Sequence, residues 1–178
     1  MPRTARNARK IALFIGRFQP FHKGHEKIIN YLLRRYSRII IAIGSSQEKR
    51  TKENPFSAVE RMAMAARVVR AHNGWKKRIS FAFLADYPSN EDWARAVGAR
   101  FAPKSFAIAS ANPLVRRLLR KAAYTLDPSP LFRRAEWEGK KIRAETRNGK
   151  NASIIPVPLA LKSWMEREGR RIMLKTRF

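Results

Sequence analysis

Residues 11–25 constrain the fold more than any other stretch of this chain. An apolar run over residues 11–15 ends at Gly16, and a short polar loop follows it. The loop carries Arg17, Gln19, His22 and Lys23. After Gly24 and His25 the apolar residues recur at helical spacing, at Ile28, Ile29, Leu32 and Leu33. The stretch predicts a buried strand, a tight turn and a helix whose first turn points back at the loop. Because a helix start has unpaired N–H groups and a positive dipole end, the turn is a candidate anion site.

The two histidines of this stretch indicate what kind of anion it binds. His22 and His25 are three residues apart, so both can lie on one face at a helix start. With the arginine and the lysine of the loop they form a candidate phosphate cradle, and Gly16 and Gly24 let a ligand approach the backbone. Two alternatives remain: one histidine caps the helix while the other packs, or the pair binds a metal ion. The chain has no Cys, and its one other histidine is His72, so the three or four ligands of a zinc site are missing.

Further apolar runs predict a parallel sheet. Strands are predicted over residues 38–44, 79–85, 105–110 and 124–126, with helices between them. Runs without alternation indicate strands covered on both faces, as in parallel sheets. Ligands of such sheets bind beyond the carboxyl ends of the strands, so Gly16 should share a crevice with Gly44 and Ser45. The alternative is that Gly44 and Ser45 form an ordinary strand exit.

Polar and aromatic residues follow the third predicted strand. Asp86, Asn90 and Trp93 place an acid, an amide and an indole close together. An indole can stack on a flat cationic ring, while the acid and the amide can bind a carboxamide or a ribose. The alternative is that Trp93 covers the core and Asp86 caps a turn.

Three further predicted helices complete the pattern. Ser57 with Glu60 forms a predicted capping box for a helix whose expected buried side is Val59, Met62, Ala63, Ala66 and Val69. A last helix is predicted over residues 159–168, with Gly169 as its stop. Gly139 before another helix, with Arg143 one turn inside and Lys140 beside it, is a second candidate phosphate site.

Residues 16–25, Gly-Arg-Phe-Gln-Pro-Phe-His-Lys-Gly-His, resemble the HxGH signature of the nucleotidylyltransferase superfamily. The extended form is similar to the archaeal-type nicotinamide mononucleotide (NMN) adenylyltransferases. The likeness continues in Gly-Ser-x-Gln at residue 44, in Glu-Asn-Pro-Phe followed by Glu60-Arg61-Met62, and in the spacing of the Asp, Asn and Trp. It covers roughly residues 11–178, as one domain. The chain departs from the family pattern at Ala111, where a Gly is usual, and at Glu138 and Lys140, where a Ser and a Thr are expected.

The resemblance implies a fold, a reaction and a set of roles. The fold is α/β, a Rossmann-like nucleotidylyltransferase fold with a parallel sheet of four or five strands flanked by helices. The reaction transfers AMP from ATP to NMN and gives NAD and pyrophosphate, with Mg²⁺ bound through the ATP phosphates and no metal ligands from the protein. The implied catalytic residues are His22, His25, Arg17 and Arg143. The implied ATP-binding residues are Gly16, Phe18, Gln19, Lys23, Gly44, Ser45, Asn112 and Lys140. The implied NMN-binding residues are Asp86, Asn90 and Trp93.

Two other functions stay open at this point. One is a related adenylyltransferase that uses another phosphate ester as acceptor. The other is a nucleotide-binding regulator that has lost activity through Glu138 and Lys140.

The net charge is the second unusual feature of the sequence. The 178 residues carry 39 Lys and Arg against 13 Asp and Glu, a formal charge of +26. This charge favours steering of phosphorylated substrates, with nucleic-acid binding as a secondary possibility and a solvated basic surface as the alternative. Residues 1–10 are predicted to be a disordered basic arm. The absence of Cys, of a membrane-spanning apolar run and of a signal-peptide core leads us to expect a cytoplasmic protein, with a homo-oligomer possible.

Overall fold

A computed structural model describes residues 11–130, 132, 134–151 and 154–176 of the chain. The predicted basic arm, residues 1–10, lies outside the described residues.

One parallel sheet organises the described structure. Its strands are β1 (Ile11–Gly16), β2 (Ile39–Ile43), β3 (Ile79–Phe83), β4 (Phe106–Ala109) and β5 (Thr125–Leu126). Their order is β3-β2-β1-β4-β5, and every neighbouring pair is parallel. The chain runs outward from β1 to β3 and then crosses back to β4 on the other side of β1. In such a sheet the crevice at this reversal, beyond the carboxyl ends of the central strands, is where ligands bind. The predicted α/β fold with four or five parallel strands is confirmed.

Helices connect the strands and cover both faces of the sheet. They are α1 (Lys23–Leu33), α2 (Ala58–Ala71), α3 (Asn90–Arg100), α4 (Pro113–Lys121), α5 (Arg134–Trp137) and α6 (Gly139–Arg147). After a 3₁₀ turn (Leu159–Leu161) the chain continues through α7 (Lys162–Trp164), a π-helical segment (Met165–Gly169) and α8 (Arg170–Lys175). No helix in the described ranges is long and apolar enough to cross a lipid bilayer.

The side chains of β1 alternate between two hydrophobic cores. Phe14 belongs to the larger core, which α1, α2 and the C-terminal helices cover. Leu13 and Ile15 belong to the smaller core, under α3 and α4. All three are almost completely buried. Both faces of the central strand are therefore covered, which explains why its sequence is apolar without alternation.

The predicted start of α2 is confirmed, but its predicted buried side is right only in part, at Val69 and at the half-buried Met62. Ser57 caps the helix and forms the expected capping box with Glu60. Val59, however, is 62% exposed and Ala63 is exposed, while the buried positions are Ala58, Arg61, Met64, Ala65, Val68 and Val69. A charged residue, Arg61, lies in the middle of the buried side, so a pattern of apolar residues alone assigns part of that side wrongly.

The prediction that Gly169 ends the last helix is also wrong. The helical backbone continues from Lys162 to Lys175 and passes through Gly169 within the π-helical segment. A Cβ on Gly169 would lie 2.8 Å from the sulfur of Met165 and 3.3 Å from the Trp164 ring. Glycine stands here because neighbouring side chains of the same helix fill the space, and the chain needs no left-handed turn.

We expect Gly98→Ala to stabilise the protein and Gly74→Ala to destabilise it. A Cβ at either position would meet no atom within 4 Å, so packing is matched between the two variants. Gly98 lies inside α3, where alanine is favoured over glycine by about 0.5–1 kcal/mol. Gly74 has a φ of +78°, where an L-residue loses roughly 1–2 kcal/mol. Urea unfolding should therefore give changes of opposite sign, and equal signs would contradict the described backbone.

Candidate functional site

The two histidines lie at the junction between the β1 loop (residues 17–22) and α1. His22 is the N-cap of α1, and its Nδ1 accepts a hydrogen bond of 3.1 Å from the Gly24 N–H. His25, in the first turn, returns the interaction, because its Nδ1 accepts from the His22 N–H at 3.1 Å. The two rings stack with centroids 3.6 Å apart. The pair therefore forms a capping box built from imidazoles.

The capping box fixes the tautomer of both rings. A neutral imidazole that accepts at Nδ1 carries its proton at Nε2. Each histidine therefore presents one Nε2–H donor, and neither Nε2 has a hydrogen-bond partner among the described residues. Capping of the helix, the alternative raised from the sequence, therefore uses only the Nδ1 atoms. Both Nε2–H groups remain available to a ligand.

Burial keeps the pair neutral. It lowers the pKa of His22 to about 3. The pKa of His25 lies well below its ordinary value because of burial and then because of the neighbouring His22. His25 also packs against aromatic rings, with centroids 4.7 Å from Phe18 and 5.2 Å from Phe21. The site thus contains two neutral N–H donors and no imidazolium near neutral pH.

Arg143 joins α6 to the β1 loop. It is 7% exposed, and its Nη1 donates to the carbonyl oxygen of Gln19 at 2.6 Å. A Cβ on Gly139 would lie 2.9 Å from the same oxygen, so only glycine allows α6 to begin this close to the loop. Burial and then the charges of Arg17 and Arg147 lower the pKa of Arg143 to about 10, although Glu53 and Glu138 partly offset them. The predicted pair Arg17 and Arg143 is therefore close enough for their charges to interact.

The loops after β1 and β2 meet at the predicted crevice. The Gly44 N–H donates to the carbonyl oxygen of Gly16 at 2.9 Å. Ser45, the next residue, adopts a left-handed backbone with a φ of 48°. The exits of β1 and β2 are therefore hydrogen-bonded neighbours at the same edge of the sheet, and the binding crevice predicted between them stays a prediction.

Arg61 of α2 is the residue that sequence reasoning missed. Its side chain is completely buried and donates to the carbonyl oxygens of Arg17 (2.8 Å), Gly44 (2.7 Å) and Ser45 (2.9 Å). The sequence signal was the motif Glu60-Arg61-Met62 quoted above, whose arginine was assigned no role. Its position four residues after the N-cap Ser57, on the side of α2 that faces the sheet, could have identified it.

Two predicted ATP-binding residues use their side chains inside the protein. The Gln19 amide donates to the Phe56 carbonyl oxygen at 2.8 Å and accepts from the Phe56 N–H at 3.1 Å. The Phe18 ring is 2% exposed and packs edge-on against Phe14. Both side chains shape the β1 loop, so any contact with ATP would have to run through their backbone atoms. That contact stays a prediction.

The other predicted nucleotide contacts lie at helix starts. Lys23 is the first residue of α1, and Lys140 is the second residue of α6 and is exposed. Asn112 is the N-cap of α4, and its side chain accepts from the Leu114 N–H at 2.9 Å. Glu138 is the N-cap of α6 but makes no capping hydrogen bond with its side chain. Asn112 follows β4, the neighbour of β1, and so lies at the same edge of the sheet.

The residues predicted to bind the mononucleotide follow β3 and begin α3. The Gln47 side chain accepts from the Asp86 N–H at 3.0 Å, which ties this segment to the loop after β2. Asn90 is the first residue of α3, and the Asp86 and Asn90 side chains are exposed. Trp93 is half-buried against the smaller core, as the packing alternative expected. Ser89, and not Asp86, caps the helix.

Within the described ranges, no group of three or more His, Asp or Glu residues lies close enough to hold a metal ion.

Comparisons with known proteins agree with this geometry. A family model described as cytidylyltransferase-like matches residues 13–102. The "Nicotinamide-nucleotide adenylyltransferase" of Thermoplasma volcanium is 40% identical, over 83% of this chain and 82% of that protein. The protein of the same name from Thermoplasma acidophilum is 42% identical, over 75% of this chain and 73% of that protein. The one from Archaeoglobus fulgidus is 34% identical, over 79% of this chain and 82% of that protein.

A solved structure shares the fold. It is a bifunctional NMN adenylyltransferase/ADP ribose pyrophosphatase from Francisella tularensis, complexed with AMP and a Mn ion. It superposes on 93% of this chain with a TM-score of 0.74 at 23% identity, and this chain spans 52% of its length.

The family match places the chain in the cytidylyltransferase-like class of nucleotidyltransferases, and the described fold agrees with it. Within that class, the extent and identity of the matches show that the chain belongs to the nicotinamide-nucleotide adenylyltransferase family.

We expect the stability of the protein to depend on pH through the histidine pair. The folded state keeps His22 neutral down to about pH 3, whereas the unfolded chain protonates it near its ordinary pKa of 6.5. Below pH 6.5 the unfolded state therefore binds more protons, and the free energy of unfolding decreases as the pH falls. In His22→Asn the side-chain oxygen can replace Nδ1 as the cap, but the group no longer titrates. Urea unfolding at several pH values should show a shallower loss of stability for the variant; an unchanged slope would contradict the assignment.

Proposed function

We propose that this protein transfers AMP from ATP to nicotinamide mononucleotide and releases pyrophosphate. The observation that carries the proposal is the neutral histidine pair, fixed by its own capping box at the end of a loop that contains Arg17 and is bound by Arg143, in a chain of this family. Two anions must be brought together for this reaction, and the site combines positive charge with aligned N–H donors.

The chemistry needs no nucleophile from the protein. A phosphate oxygen of the mononucleotide attacks the α-phosphorus of ATP, a new P–O–P bond forms, and the bond to pyrophosphate breaks. The protein positions both phosphates and stabilises the charge that develops at the α-phosphorus and on the leaving group. Arg17 and Arg143 hold the triphosphate, with Lys23 and Lys140 at the two helix starts, while the Nε2–H groups of His22 and His25 donate to the bridging phosphates.

The mononucleotide is assigned to the segment after β3. Trp93 stacks on the pyridinium ring, and the Asp86 carboxylate and the Asn90 amide bind the carboxamide or the ribose. ATP arrives as its Mg²⁺ complex, in which the ion is bound mainly by phosphate oxygens, as is usual for magnesium.

Mixing the purified protein with ATP, Mg²⁺ and nicotinamide mononucleotide should produce NAD and pyrophosphate in equal amounts. Nicotinic acid mononucleotide, flavin mononucleotide and phosphopantetheine serve as competing acceptors. A preference for one of the last two would replace the proposed acceptor. Binding of ATP without release of pyrophosphate would indicate a nucleotide-binding regulator instead. That alternative is considered because Glu138 and Lys140 replace the Ser and the Thr that the family pattern has at these positions.

The role of the histidines predicts different effects for two substitutions of His25. In His25→Asn the side-chain oxygen can take the place of Nδ1, so the cap is retained but the Nε2–H is lost. We expect kcat to fall by roughly 100-fold or more, as is common when a donor to transition-state charge is removed. His25→Gln can keep the cap through its side-chain oxygen, because glutamine is a usual residue at this position of a capping box, and its amide N–H can serve as a donor near the position of Nε2, so it should retain more activity than His25→Asn.

Steady-state kinetics and thermal unfolding of both variants check this prediction. Wild-type kcat in a folded His25→Asn protein would remove the Nε2–H from the mechanism.

A further inference from the structure

Arg61 is the one fully buried arginine of the described structure, and it lies directly beneath the candidate site. None of the ion pairs among the described residues involves it. Its guanidinium is instead surrounded by main-chain carbonyl oxygens, three within 2.9 Å and a fourth, that of Ser57, at 3.3 Å from Nε. A buried guanidinium that contacts only carbonyl groups must gain its stability from the fit of those groups around it.

The carbonyls that it binds belong to the two loops that form the crevice. Arg17 provides one from the β1 loop, and Gly44 and Ser45 provide two from the loop after β2. A single side chain therefore joins the two loops from inside, in addition to the bond from the Gly44 N–H to the Gly16 carbonyl oxygen.

The same bonds occur where the backbone is strained. Phe18, which follows the Arg17 carbonyl, has a φ of 54°, and Ser45 has a φ of 48°. Both are non-glycine residues in the left-handed region, a conformation that persists only where the surroundings enforce it. Arg61 supplies that enforcement at both positions, because it fixes the peptide group on the carboxyl side of Arg17 and of Ser45.

Arg61 remains charged despite its burial. Burial and the neighbouring Arg17 lower its pKa to about 10, and Asp86 partly offsets them. Near neutral pH it therefore adds a fixed positive charge under a site that must bind a triphosphate.

We propose that Arg61 is a positioning residue for adenylyl transfer, which clamps the β1 loop and the β2 loop in the arrangement that receives the triphosphate. It acts through the backbone of Arg17, Gly44 and Ser45 and does not itself touch the substrate. This inference rests on the proposed function for its kinetic test, but the clamp can also be tested without activity.

Arg78 offers a matched control. It also donates to three main-chain carbonyls, those of Ser37 (2.9 Å), Leu33 (2.7 Å) and Tyr36 (2.6 Å). It precedes β3, however, and so lies at the amino ends of the strands, the edge of the sheet opposite the candidate site. Removing either guanidinium leaves carbonyls without a donor, so both changes should lower the temperature of unfolding.

The kinetic test compares Arg61→Met and Arg61→Lys with Arg78→Met below their unfolding temperatures. We expect Arg61→Met to lower kcat by about 10- to 100-fold, the size of effect that a displacement of about 1 Å in reacting groups produces. Arg61→Lys keeps the charge but reaches fewer carbonyls, so its loss should be intermediate. Arg78→Met should keep kcat and both KM values within about twofold of the wild type.

The second test follows amide hydrogen exchange in peptides that cover residues 44–46. The Gly44 and Ser46 N–H groups donate to Gly16 and Leu84, so their exchange reports on the loop. Exchange there should accelerate by about tenfold or more in both Arg61 variants, beyond any change in global stability, and not in Arg78→Met.

The outcomes separate the two hypotheses. Wild-type kcat and KM in folded Arg61→Lys or Arg61→Met, or equal kinetic losses in Arg78→Met, would overturn the clamp. If Arg61→Met does not fold, the comparison of Arg61→Lys with Arg78→Met decides. If the wild-type protein forms no NAD, the proposed function fails, and the exchange data still test the clamp.

Discussion

The structure depends on hydrogen bonds that use the inward-facing polar atoms of the loops after β1 and β2. Arg61 binds carbonyls of both loops, Arg143 binds the Gln19 carbonyl, and the Gln19 side chain binds both backbone groups of Phe56. A loop next to a ligand would otherwise leave buried carbonyl and N–H groups unpaired, at about 1–3 kcal/mol each. Because the protein satisfies these groups from within, the remaining donors of the β1 loop and of α1 can serve a ligand without rearrangement.

The electrostatics of the site follow from the same arrangement. Arg17 lowers the pKa of both Arg61 and Arg143, so its charge repels each of these two buried cations. A polyanion bound there would be attracted by each cation and would offset their mutual repulsion, so we expect the site to favour triphosphates over neutral ligands. The histidines contribute donors without adding charge, since burial keeps both of them neutral. The formal charge of +26 acts over a longer range than these contacts, and its field is screened by salt. This charge favours electrostatic steering of phosphorylated substrates. Nucleic-acid binding and oligomer formation stay predictions.

Local signals in the sequence were sufficient to predict the strands of the sheet and the turn between β1 and α1. The apolar runs located all five strands to within two residues at each end, and the spacing of His22 and His25 placed both at a helix start. The buried side of α2 and the role of Arg61 were not predictable in this way, because hydrophobic periodicity treats a charged residue as exposed. Gly169 was misread as a stop because the reason for glycine there is contact with Met165, which depends on tertiary packing. Sequence reasoning thus fails where a residue is chosen for its partners and not for its own preference.

The start of α6 shows how a departure from the family pattern can be accommodated. Glu138, where a Ser is expected, raises the pKa of Arg143, so its carboxylate already interacts with the cation that we assign to the triphosphate. Phosphate oxygens would compete with that carboxylate for the guanidinium. Two features favour the phosphate: the Glu138 side chain makes no capping bond that would hold it in place, and Lys140 and Lys141 follow in the first turn. The first turn of α6 is therefore positive overall, and the helix dipole adds to it, so we expect an anion with several charges to displace a single exposed carboxylate.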